Sequence, residues 1–114
     1  MIAVKICGIT NDLDAKLAIS MGASALGFIF YEKSPRYIDI KKAKMITRNN
    51  PNSKFIGVFV NVDSEYIKKV IDEVELHGIQ LHGNESNSFC QSFDIPVIKA
   101  IPLKPNLNKS IFNS

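Results

Sequence analysis

At 114 residues, with 46% hydrophobic and 22% charged residues, the chain has the composition of an ordinary folded domain and enough apolar content to build a core. No apolar run reaches the roughly 18 residues that a membrane-spanning helix needs, and the N-terminus lacks the basic-then-apolar pattern of a secretory signal, so a cytoplasmic protein without membrane contact is expected. The formal charge of +3 is compatible with a small anionic ligand, but the basic residues are scattered along the chain as on an ordinary solvated surface, and no nucleic-acid partner is expected.

Short apolar runs recur, each followed by a segment with helical spacing. The first, residues 3–9, ends on Cys7 and Gly8. Asn11 then predicts an N-cap, Leu13, Leu17 and Met21 recur every four residues, and Gly22 supplies a left-handed stop. The second run, residues 25–30, leads into the loop "YEKSPRYI". A second helix opens at Asp39, buries Ile40, Ala43 and Ile46 and ends before Asn49-Asn50-Pro51, with a lysine-rich outer face. After the third run, residues 55–60, Asp63 or Ser64 caps a helix whose Ile67, Val70, Ile71 and Val74 form one buried stripe. His77 is expected in the last turn of that helix with Gly78 as its stop, where a cation beside the helix C-terminus needs no function to explain it. The fourth run is residues 79–81, followed by a short helix starting near Asn84 or Glu85 that buries Phe89 and Phe93. The fifth is residues 96–101, and the tail "PLKPNLNKSIFNS" shows little periodicity.

The runs are near-continuous in apolar residues rather than alternating, as in strands covered on both faces. The rhythm predicts an α/β fold with about five parallel strands and four helices. In such folds ligands gather at the C-terminal ends of the strands. At those ends lie Cys7, the loop holding Arg36, Asn61, Gln80 with His82, and Lys99. Arg36 offers a fork suited to a carboxylate or phosphate, and Pro35 stiffens its loop. Taken alone, Cys7 reads as a small packing residue and His82 as a satisfied strand-end histidine. Cys7 and Cys90 form neither a disulfide framework nor a C-x-x-C metal pair, so two free thiols and no metal are expected.

The pieces "KICGIT", "MGASALGFIF" running into "SPRYI", "FIGVFVN", "IQLHG" and "PVIKAI" occur together, in this order. In order and approximate spacing they resemble the phosphoribosylanthranilate isomerase family of tryptophan biosynthesis. The resemblance implies a (βα)8 TIM barrel, of which residues 1–114 are a single partial domain. It implies an Amadori rearrangement of an aminoaldose, N-(5-phosphoribosyl)anthranilate, to an aminoketose, without metal or organic cofactor. It makes Cys7 the general base, puts Arg36 near the anthranilate moiety, and lets Gln80 and His82 line the substrate site. A thiol titrates near pH 8.5 when unperturbed, so base work near neutrality calls for positive potential of the kind helix N-termini or Arg36 supply.

The family's general-acid aspartate on strand six and its phosphate loops after strands seven and eight have no counterpart in these residues, whereas a complete barrel takes about 200 residues or more. The chain alone is therefore expected to be inactive. Its open sheet edges call for a homodimer or a complementing C-terminal half-barrel. The alternative is a non-catalytic half-barrel remnant or assembly module. A related barrel making indole-glycerol phosphate is disfavoured, because that chemistry relies on Lys and Glu rather than a thiol.

Overall fold

The computed structural model describes residues 5–83 and 85–99. In chain order these form β1 (Lys5–Cys7), α1 (Asp12–Ser20), β2 (Ala25–Ile29), α2 (Ile40–Asn49), β3 (Lys54–Phe59), α3 (Ser64–Val74), β4 (Gly78–Leu81), α4 (Asn87–Cys90) and β5 (Val97–Lys99). The five strands make one parallel sheet in the order β1-β2-β3-β4-β5. Every crossover advances the chain by one strand in the same direction, with no reversal of strand order. That is the winding of a (βα) barrel and not of a doubly wound sheet.

The register separates the two faces. One row holds Leu26 and Phe28 of β2, Phe55 and Phe59 of β3, and Ile79 and Leu81 of β4, all nearly free of solvent. They share a cluster with Ala43 and Ile46 of α2 and Ile67, Val70 and Val74 of α3, so this is the helix-facing core. Phe28 stacks on Phe55 and Phe30 on Phe59, each pair with ring centroids 5.3 Å apart, which ties β2 to β3 at two heights. Burying each such ring contributes about 1.5–3 kcal/mol. The alternate row, with Lys5 and Cys7 of β1, Ile56 of β3, Gln80 of β4 and Ile98 of β5, stays half-buried to exposed.

Three helices start as expected. The side chains of Asn11, Asp39 and Asp63 each accept a backbone N–H three residues on, from Asp14, Lys42 and Tyr66, at 2.8 Å. Gly22 takes the left-handed conformation, with φ +92°, just past α1.

The Leu13, Leu17 and Met21 row of α1 is 78%, 58% and 72% exposed, and α1 seats on the sheet through Ala15 and Ala18. At 100° per residue the centres of the alanine and leucine rows lie about 130° apart around the helix, and the small side chains permit the closer approach. Two expectations need correction. His77 lies outside α3, because Glu75, and not Gly78, adopts the left-handed cap at φ +65°. His77 is instead a junction residue: its Nδ1 accepts the Phe55 N–H at 3.1 Å and its own N–H donates to the Phe55 carbonyl at 2.8 Å. The fourth helix begins at Asn87, with Ser86 Oγ accepting the Phe89 N–H; Asn84 lies outside the described residues, as do the tail and residues 100–101 of the fifth run.

The buried Asn50 joins α1 to the end of α2. Its Nδ2 donates to Asp12 Oδ1 at 2.8 Å and to the Ile46 carbonyl at 2.9 Å, while its Oδ1 accepts from Lys16 Nζ at 3.2 Å. Asn50→Ala should lower the unfolding free energy by about 1–3 kcal/mol, read as a fall in the urea midpoint.

Candidate active site

Cys7 is the last residue of β1 and pairs with Gly27 of β2. A Cβ at Gly27 would stand 2.7 Å from the Cys7 Sγ, so the thiol occupies the slot that the missing side chain leaves. The chain then turns sharply. Gly8 has φ +84°, and the N–H groups of Gly8 and Ile9 both donate to the Gly27 carbonyl, at 3.0 and 3.1 Å.

The loop after β2 folds back over this turn. The Ile38 N–H donates to the Ile29 carbonyl at 3.0 Å, the Tyr37 N–H to the Ser34 carbonyl at 3.1 Å, and Ser34 Oγ accepts the Arg36 N–H at 3.1 Å. These bonds hold the Arg36 side chain across Gly8, where a Cβ would meet Arg36 Cδ at 2.6 Å and Nη1 at 3.0 Å. Cys7 and Arg36 therefore line one cleft of about 440 Å³, with Pro35 above and Leu17 and Met21 of α1 at its side. A thiol and a guanidinium on one wall can take a proton beside a bound anion.

Gln80 occupies the half-buried inner row of β4, and Lys5 Nζ donates to its Oε1. Sequence reading gave Lys5 no role, although the two-residue period of a strand puts it on the same face as Cys7. His82 is exposed just beyond β4, its N–H donating to the Phe59 carbonyl at 2.9 Å. It sits on the strand-end rim and does not line the Cys7–Arg36 cleft. On the same rim Asn61, at φ +50°, donates its N–H to Glu85 Oε2 at 2.9 Å. Lys99 is in register with Leu81.

A second cleft lies between the loops after β2 and β3, lined by Tyr31, Lys33, Asn61 and Tyr66 among others. Burial raises the Tyr66 pKa above the usual tyrosine value, with smaller contributions from Tyr37 and Glu32 in the same direction. Among the described residues no cluster of His, Cys, Asp and Glu could hold a metal ion, and no helix is long and apolar enough to cross a membrane.

Residues 4–113 match the sequence model described as N-(5'phosphoribosyl)anthranilate (PRA) isomerase. The chain belongs to this isomerase family. It is 40% identical over 106 residues to the N-(5'-phosphoribosyl)anthranilate isomerase of Cellvibrio japonicus, covering 92% of this chain and 49% of that protein. The crystal structure of the isomerase from Thermotoga maritima superposes with a TM-score of 0.88 at 41% identity, over 99% of this chain and 57% of that one; that protein is described elsewhere as dimeric. A structure of the isomerase with reduced 1-(o-carboxyphenylamino)-1-deoxyribulose 5-phosphate gives a TM-score of 0.89 at 41% identity, over 97% of this chain and 59% of that one. The fold is thus the N-terminal part of the family's TIM barrel, and the chain spans about half the length of the curated relatives it matches.

Gly8→Ala combines a left-handed backbone with a collision against Arg36. It should cost about 1–2 kcal/mol in urea unfolding and shift the Arg36 Nε–H signal in an NMR spectrum, whereas Gly22→Ala, with open space around it, should leave that signal in place. Because Tyr66 is harder to ionise in the folded chain, the unfolded chain loses its phenol proton first. Stability should hold below about pH 10 and fall as pH rises through the folded value; Tyr66→Phe should flatten that decline in urea midpoints measured from pH 8 to 11.

Proposed function

We propose that this chain supplies the Cys7-bearing half of an N-(5'-phosphoribosyl)anthranilate isomerase site, in a cytoplasmic enzyme of tryptophan synthesis. The observation that carries the reading is the cleft in which Gly8 brings Cys7 and Arg36 together at the end of β1, within a chain of this family.

In this reading Arg36 binds the anthranilate carboxylate by its two-pronged guanidinium, and Gln80 and His82 contact the sugar part from the inner row and the rim. The ribose ring opens to a protonated Schiff base at C1. The Cys7 thiolate removes the C2 proton; the C–H electron pair becomes the C1–C2 double bond, and the C=N pair returns to nitrogen. The enolamine then gains a proton at C1 and gives up its C2 hydroxyl proton, leaving the aminoketose. The reaction is an isomerisation, so no electrons enter or leave.

The acid that opens the ring and the groups that bind phosphate belong to the C-terminal part of the family's barrel, and turnover is expected when that part is supplied. The cover for the sheet supports the same view. Among the described residues β1 and β5 each have one paired neighbour, Ile98 is 50% exposed, and the apolar row of α1 is open. A C-terminal half-barrel, or a second copy of the chain, would cover these surfaces.

The test mixes this chain with the C-terminal half of the Thermotoga maritima relative and follows loss of anthranilate-ester fluorescence. Turnover is expected in the mixture and not from either part. Cys7→Ala should lower kcat in the mixture by about 10²–10⁴-fold with KM little changed. A stable complex without turnover would sink the proposal.

A further inference from the structure

Lys5 is the charged neighbour of Cys7 on the inner face of β1, two residues and about 6.6 Å of strand away. Among the described residues its ammonium pairs with no carboxylate: it donates a hydrogen bond to Gln80 Oε1, 75 positions along the chain. Lysine has three donors and no acceptor, so the Gln80 atom facing it must be the carbonyl oxygen. That removes the usual ambiguity of a glutamine side chain. With Oε1 engaged, the free end of Gln80 is its NH2 group, a donor and nothing else.

We propose that Lys5 is a positioning residue, fixing the Gln80 carboxamide so that its NH2 group is presented to an oxygen acceptor on the substrate. The inference rests on the reading of Gln80 as a substrate-binding residue. Three further features fit it. Gln80 sits in the inner row with Val58 and Ile98 as its register partners, so neither residue directly opposite it offers the carboxamide a polar side chain. Gly78, two residues earlier on the same face, keeps that row of β4 free of a side chain below Gln80. Lys5 also starts a strand whose next inward residue is Cys7, so the ammonium that holds Gln80 and the thiol share one short rigid segment. A flipped carboxamide would set its NH2 against an ammonium and turn an acceptor toward the substrate's hydroxyl and phosphate oxygens, losing one hydrogen bond and gaining a repulsion.

The first arm is NMR of the full chain. The Gln80 side-chain amide pair, assigned by its loss in Gln80→Leu, should be dispersed in the parent and collapse toward the free-glutamine position in Lys5→Met. Unchanged amide signals in Lys5→Met would overturn the pairing. The second arm is a double-mutant cycle in the complex with the C-terminal half. Lys5→Met and Gln80→Leu should each raise KM about tenfold with kcat within about threefold, and the double variant should be no worse than either alone within about twofold. Lys5→Arg, which keeps the donors, should recover most of the parent KM. Multiplying effects, near a hundredfold in the double variant, would mean that Lys5 acts on the substrate directly and would overturn the proposal. If the parent complex neither turns over nor binds reduced 1-(o-carboxyphenylamino)-1-deoxyribulose 5-phosphate, the isomerase reading fails and the substrate half of this inference fails with it. The amide signals still decide the Lys5–Gln80 pairing on their own.

Discussion

The packing of Phe28 on Phe55 and Phe30 on Phe59 is the constraint on which the rest of the structure depends. Rings of this size on adjacent parallel strands allow one register, since a slip of one residue would turn them away from α2 and α3 and toward the inner face. Once that register is set, the alternate row is set too. Cys7 falls opposite Gly27, Gln80 opposite Val58, and both face away from the helices. The chemistry-bearing residues are therefore held by a core that none of them belongs to, and the inner face can remain polar and half open without loosening the strands.

Much of this was legible because it is written in short-range pattern. The apolar runs locate all five strands to within a few residues, and Asn11, Asp39 and Asp63 mark helix starts because a cap is a local hydrogen bond. The failures have an equally definite cause. Periodicity identifies a row on a helix without saying which row meets the sheet, and in α1 two alanines prevailed over the larger leucine row. His77 was misplaced because Glu75, a residue with a Cβ, took the left-handed turn that Gly78 was expected to take. In the site, Cys7, Arg36, Gln80 and His82 could be singled out by their places at strand ends and by family motifs, but their grouping could not. That Arg36 lies over Gly8, that His82 stands apart on the rim, and that Lys5 meets Gln80 are long-range facts fixed by how loops fold back and strands line up.

The candidate side chains are gathered on one stretch of the barrel. The Cys7–Arg36 cleft, Gln80 and His82 sit on the first four strands and their loops, and they bring a thiol, a guanidinium, a carboxamide and an imidazole to a scaffold with three capped helices. Among the described residues the wall of parallel strands is open at both β1 and β5. The exposed leucine row beside β1 belongs to the same opening.

The slot at Gly27 carries a consequence for how such sequences drift. With Cys7 Sγ 2.7 Å from where a Cβ would stand, the two positions are not independent sites of variation. A lineage that keeps the thiol is held to glycine across from it. Loss of the thiol relieves the tightest of these contacts and leaves those to the Cα and Cβ of residue 7, at 3.1 and 3.3 Å, so position 27 stays confined after the chemistry at position 7 has gone.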